Sequence, residues 1–225
     1  MNPRSNAATS PSGYTAAKFL DTTGSGIQSN AEVALLDLSK HRLDDPLKII
    51  IGAGDQSYDG WIPTQKEDLD LKREADWRET FGLIKVDNFL CEHVWEHLTL
   101  LDGRQAAKFV FDSLKPGGLI RVSVPDINFP NEEYQRNVQV GGPGPSDHPA
   151  ADHKIVYDYK TFCDVFRDAG FQVKLLEHCD EDGKFHFAYW HPSDGFLYRS
   201  LRFDHRNKDG HLGFASLVID ARKPT

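Results

Sequence analysis

The feature that most constrains this chain is a connection too short for its job. Residues 47–51 (LKIII) form an unbroken apolar run, the pattern of a strand buried on both faces of a parallel sheet. The run breaks into Gly52-Ala53-Gly54. Without a Cβ, the glycines let the backbone turn sharply and let a ligand come close. The next extended segment, residues 61–65, begins almost at once. A parallel crossover normally takes a dozen or more residues and carries a helix, and residues 55–60 (DQSYDG) cannot hold one. Another segment must cover that face of the sheet. Residues 31–41, capped by Ser29 or Asn30, are the candidate.

Further on, extended and helical patterns alternate. Residues 67–71 read as a short extended piece, 77–81 as a helical turn and 84–91 as a strand feeding 92–98. Residues 103–114 read as a helix with Ala106, Ala107, Val110, Phe111 and Leu114 on one face, stopped by Lys115-Pro116-Gly117-Gly118. A strand over 119–124 ends at Pro125-Asp126. This alternation predicts an α/β sheet, and open sheets of this kind bind ligands at the carboxyl ends of their strands. The turn at Gly52 and Gly54 is therefore the expected floor of a site. Residues 127–152 lack periodicity, include GGPGP at 141–145 and read as a long structureless loop, the kind that is often functional. A helix over 159–169, ended by Gly170, and a strand over 171–177 follow. The patterns at 185–190, 197–203 and 214–221 predict antiparallel strands, with an edge that could pair in an oligomer.

Residues 1–30, rich in Ser, Thr, Gly, Asn and Pro, read as a mobile tail, and 31–225 as one domain. The net charge of -8 argues against general attraction to nucleic acid. No apolar run reaches the roughly 18–20 residues that cross a bilayer, and residues 1–14 lack the apolar core of a secretory signal. Cys91, Cys163 and Cys179 show no CxxC spacing, which fits a reducing cytosol better than a disulfide framework.

The glycine turn is neither a nicotinamide fingerprint, since Ser57 holds the third glycine position, nor a Walker loop, since Gly-Lys-Ser/Thr is absent. A ligand without a phosphate cradle suits it better. Four blocks then carry a resemblance: IIIGAGD (49–55), GWIPTQ (60–65), FLCEHVWEHL (89–98) and LKPGGLIRVSVPD (114–126). With them the chain resembles class I S-adenosylmethionine-dependent methyltransferases. The resemblance implies a Rossmann-like sheet, parallel at first and antiparallel toward the C-terminus, here without the usual helix between its first two strands. It also implies S-adenosylmethionine as cofactor and methyl transfer to a small molecule or protein side chain that the sequence does not name.

Carried over position by position, Gly52, Ala53 and Gly54 match the turn beside the methionine part of the cofactor. Gln65 stands where the family usually has an acidic residue on the ribose hydroxyls; it donates and accepts but lacks the charge. Asp70 matches a position facing the adenine amino group, and Cys91, Glu92 and His93 match the methionine side of the pocket. If the acceptor must lose a proton, Asp126 and His153 are the candidate bases, with His93 behind them. His93-Val94-Trp95-Glu96-His97 also spells HxxEH, which in a zinc hydrolase needs both histidines on one helix face and a third ligand. The methyltransferase block explains the same letters, so no metal is expected. A chain that keeps the fold and serves as a binding or scaffold protein is the second reading.

Overall fold

A computed structural model describes Leu38, His41 and residues 44–225. The tail over 1–30 and most of the helix expected over 31–41 lie outside the described residues. Seven strands form one sheet: β1 (Lys48–Ile51), β2 (Ile62–Pro63), β3 (Val86–Glu92), β4 (Leu114–Pro125), β5 (Gln172–Cys179), β6 (Phe185–Phe187) and β7 (Ser216–Arg222). Among the described residues four α-helices accompany them: α1 (Glu74–Phe81), α2 (Leu100–Ser113), α3 (Glu132–Val138) and α4 (Tyr159–Arg167).

The strand order is β2-β1-β3-β4-β7-β5-β6. The first four strands are parallel, and β7 runs antiparallel between β4 and β5. This is a Rossmann-like sheet, parallel at first and antiparallel toward the C-terminus, as the sequence blocks imply. No helix stands between β1 and β2. Instead Thr64 N–H donates to Ile50 O, and Ala53 N–H to Thr64 O, each at 2.8 Å, so the two-residue strand is extended by the turn itself.

Side chains alternate across β1. Ile49 and Ile51 join the main core with α1, α2 and α4, whereas Ile50 faces a second, smaller cluster. Trp190, Leu197, Tyr58 and Trp61 make up the cover of that second face, along with Leu90 and Val218 of the sheet. Of the helix predicted to provide the cover, Leu38 packs on the main core instead.

Two buried carboxylates fasten this irregular cover. Glu92, at the end of β3, accepts from the main-chain N–H groups of Tyr198 and Arg199 at 3.1 and 2.5 Å. Glu177 of β5 accepts from Leu201 N–H and from Trp190 Nε1 at 2.7 and 2.8 Å. Residues 197–203, expected as a strand, form turns for this reason: side-chain carboxylates take the N–H groups that a ladder would need. The third expected antiparallel strand, β7, lies inside the sheet rather than at its edge.

The long loop expected over 127–152 contains α3. Asn131 caps it by accepting from Tyr134 N–H at 2.9 Å. Tyr134 Oη accepts from Asp126 N–H and donates to Ala215 O, at 2.8 and 2.7 Å, pinning the helix to the ends of β4 and β7.

Asp158 caps α4, accepting from the N–H groups of Lys160 and Thr161 at 2.8 and 2.9 Å and from Thr161 Oγ1 at 2.7 Å. Burial pushes its carboxyl pKa up, but these bonds outweigh burial and hold it below the usual carboxylate range. The ionised form thus favours the folded state. Its contribution is complete above the unfolded-state pKa, about 3.9, and is lost as pH falls through the folded value. Asp158→Ala is expected to cost about 0.5–2 kcal/mol at neutral pH. The gap from wild type in urea midpoint should shrink below about pH 4. An undiminished gap at low pH would count against the charged cap.

Candidate functional site

The order of strands reverses at β1: β2 lies on one side of it and β3 on the other, all three parallel. Such a switch point opens a crevice at the carboxyl ends of the strands. A cavity of about 300 Å³ lies there, between Ile51 and Gly52 at the end of β1 and Val94, His97 and Leu98 beyond β3. Leu69, Asp70 and Leu71 form an opposite wall, and Lys66, Asp152 and Lys154 supply charge.

The glycine turn is shaped by its neighbours. Gly52 has φ +61°, and a Cβ there would stand 2.6 Å from Val94 Cγ2. Gly54 has φ +54° with open space where a side chain would be. Gln65 closes the turn. Its Oε1 accepts from Gly54 N–H at 3.2 Å and its Nε2 donates to Gly54 O at 2.8 Å. Both ends of the amide are engaged by the backbone of the turn, each with one further hydrogen-bonding position left. Asp70 accepts from Lys72 N–H through Oδ1 at 2.9 Å, which leaves Oδ2 for a ligand.

Beyond β3, His93 takes a left-handed conformation, φ +55°, a strain that marks sites where the chain must be re-aimed. It swings a short 3-10 turn, Trp95–His97, over the strand ends. Trp95 is fully buried and donates through Nε1 to Gly103 O at 3.2 Å, which anchors the turn. Glu96 O accepts from the N–H groups of Lys154 and Ile155, at 2.8 and 3.3 Å, so the end of the 127–152 segment is laced to the same turn.

This lacing gathers three histidines around Glu96, a residue with no exposure. His93 Nδ1 is 3.2 Å and His153 Nε2 is 4.0 Å from Glu96 Oε1. The His97 and His153 rings lie 4.8 Å apart at 82°, and His97 Nδ1 is 2.5 Å from Asp152 Oδ1. Burial pushes the His153 pKa down, favouring the neutral ring. Burial also pushes the Glu96 pKa up, but the neighbouring His93 and His97 outweigh it and keep the carboxyl ionised. His93 Nε2 is 2.9 Å from Ser216 Oγ. Ser216 is fully buried, so this chain of contacts presents no nucleophile to solvent.

Of the residues singled out by sequence, Gly52 and Asp70 line the cavity. Ala53 is buried against the second core cluster, and the fully buried Cys91 belongs to the main core. Glu92 is bound to the cover described above. Asp126 does not serve as a base facing the cavity. It is fully buried, and its two oxygens accept from Asn128 N–H at 2.9 Å and Cys179 N–H at 2.6 Å. Burial raises its pKa, and its bonds make it a staple between β4 and β5. The HxxEH helix does not form, since His93 precedes a three-residue turn and faces Ser216. Lys66, His97, Asp152 and Lys154 line the cavity without having been selected from sequence. His97 sat within the HxxEH pattern and Asp152 at the end of the 127–152 segment, whereas the two lysines carried no signal.

Fold and cavity together define a Rossmann-like domain with a cavity at its switch point. No family model and no curated protein matches the chain. Solved structures similar to it include the S-adenosylmethionine-dependent methyltransferase SibL, at 12% identity over 80% of this chain and 44% of that one, TM-score 0.45. Human N-acetylserotonin methyltransferase in complex with S-adenosylmethionine is 12% identical over 80% and 41%, TM-score 0.41. An S-adenosylmethionine-dependent methyltransferase from Archaeoglobus fulgidus is 14% identical over 80% and 87%, TM-score 0.46. The chain spans less than half the length of the first two. Among the described residues no helix is long and apolar enough to cross a membrane.

Proposed function

We propose that the protein transfers a methyl group from S-adenosylmethionine to a small molecule or a protein side chain. The observation that carries this reading is the switch-point cavity, which joins the glycine turn to an apolar slot with Asp70 at its wall. Its volume of about 300 Å³ lies at the lower end of ligand pockets, roughly 300–1,000 Å³.

The donor set fits the cofactor in parts. Leu69, Leu71 and Leu98 offer apolar walls for an adenine, and Asp70 Oδ2 an acceptor for its amino group. Lys66, Lys154 and Asp152 offer opposite charges for the amino-acid end. Gln65, bonded to Gly54, keeps one donor and one acceptor position for the ribose but brings no charge. When bound, S-adenosylmethionine supplies a methyl already activated by its sulfonium. The chain's own task is to hold the acceptor in line and keep water out. Gly52 allows close approach, and Val94 and Leu98 make the wall dry. Acceptor binding falls to the segment between β4 and α4.

Thermal unfolding with S-adenosylmethionine or S-adenosylhomocysteine tests the reading. A ligand that binds only the native state at a hundredfold its Kd adds about 2.7 kcal/mol. A rise in Tm is expected in the wild type, with most of it lost in Asp70→Ala. No rise at millimolar ligand would sink the proposal.

A further inference from the structure

We propose that Glu96, His97 and His153 form a binding site for one divalent transition-metal ion of the zinc class, set into the wall of the switch-point cavity. One ligand atom from each of the three residues lies within 4.8 Å of the others. The carboxylate is the first reason. Glu96 is wholly buried, and neither Oε1 nor Oε2 makes a hydrogen bond among the described residues. The neighbouring His93 offsets part of the cost of burying this carboxylate, and a bound cation would offset the rest. His93, at 3.2 Å, approaches one oxygen without hydrogen-bond geometry.

The second reason is the orientation of the histidines. His153 Nδ1 is 2.8 Å from Val138 O. A carbonyl only accepts, so Nδ1 carries the proton and Nε2 presents its lone pair. That lone pair faces Glu96 Oε1 at 4.0 Å: two acceptors point at one another with a gap between them. His97 repeats the arrangement, with Nδ1 held by Asp152 at 2.5 Å and Nε2 left over. A carboxylate or carbonyl behind each histidine is the usual outer support of a metal ligand.

Two imidazoles and one carboxylate suit zinc or a neighbouring transition ion, whereas magnesium and calcium prefer oxygen ligands throughout. Bonds of about 2.0–2.2 Å require the three ligand atoms to draw together by roughly 1–1.5 Å. His97 can supply that movement, since its side chain is only partly buried. It belongs both to the cluster and to the cavity lining, so a fourth coordination position would open toward whatever the cavity holds. There an ion would polarise a bound oxygen.

The test uses the full chain, freed of metal by chelator and titrated with Zn²⁺ by calorimetry and thermal unfolding, without S-adenosylmethionine. Co²⁺ then serves as a spectroscopic probe of coordination. One equivalent of Zn²⁺ and a higher Tm are expected. Both should be lost in His97→Ala and His153→Ala and kept in His186→Ala, which removes a histidine paired with Asp180. Asp152→Asn should weaken binding about 10–100-fold. If the buried His153 variant does not fold, His97→Ala decides the matter. A wild type that takes up no stoichiometric ion, or a His97→Ala protein that binds equally well, overturns the proposal. Because no cofactor is present, neither outcome bears on the methyl-transfer reading.

Discussion

Valine in place of Gly52 is expected to abolish ligand-induced stabilisation and to cost about 2–6 kcal/mol by itself. Two effects add. The backbone at φ +61° is a conformation that a β-branched residue resists, at roughly 1–3 kcal/mol. The new Cβ would also stand 2.6 Å from Val94 Cγ2, and overpacking of this kind costs about 1–3 kcal/mol. Val94 would be driven toward the cavity that both residues line. The effects separate by experiment. Adding Val94→Ala relieves the clash and leaves the backbone strain. Gly54→Ala meets no neighbour, so it carries strain alone and should keep ligand binding. A Gly52→Val protein that S-adenosylmethionine stabilises as well as wild type would remove the turn from the site.

The second large effect lies on the opposite face. Arg121 of β4 is 1% exposed and forks onto Asp220 of β7, with Nε to Oδ1 at 2.7 Å and Nη2 to Oδ2 at 2.8 Å. Its Nη1 donates to the carbonyls of His191 and Gly195, each at 2.8 Å, and its guanidinium lies 4.6 Å from the Trp190 ring centroid. One side chain thus ties a central strand pair to the irregular cover. Arg121→Leu leaves Asp220 and two carbonyls unpaired, and is expected to cost about 3–5 kcal/mol. For a chain of this length, Tm should drop by roughly 6–20 °C. Arg121→Lys should recover little, because an ammonium cannot form the fork. Removing both partners, as Arg121→Leu with Asp220→Leu, should recover much of the loss. A loss below about 1 kcal/mol in Arg121→Leu would show that the fork does not hold the cover.

The main elements of the sheet were legible because local pattern determines them. The apolar run into Gly52 and Gly54, and the helix-stop-strand pattern around Gly117, announce β1, α2 and β4. The missing crossover followed from counting residues 55–60, and β2 pairs beside β1 without a helix between them. The illegible parts depend on partners distant in sequence. Residues 197–203 have a strand's composition, but the N–H groups of Tyr198 and Arg199 go to Glu92, 106 and 107 residues away, and that of Leu201 to Glu177, 24 residues away. α3 was hidden because Asn131 and Tyr134 read as loop residues until the Tyr134 bonds to Asp126 and Ala215 are seen.

The site divided along the same line. Gly52, marked by the turn that ends its strand, and Asp70, named through the resemblance, both line the cavity. The histidine cluster was not legible, because His153 reaches Glu96 only once Lys154 and Ile155 bond to the Glu96 carbonyl. Motif spacing directed attention to His93 and His97 as a pair. The left-handed turn at His93 instead separates them and sets His97 beside His153.

The way the sheet ends bears on how these molecules behave in company. One margin is β2, two residues long and closing on Pro63, which has no N–H to give. The other is β6, three residues long. The long antiparallel strand β7, which could have served as a template for another chain, is enclosed on both sides. An incoming strand therefore finds too few main-chain groups at either margin to register against. Between the described residues of two such molecules, association through paired backbones is disfavoured and contact through side chains is the expected mode.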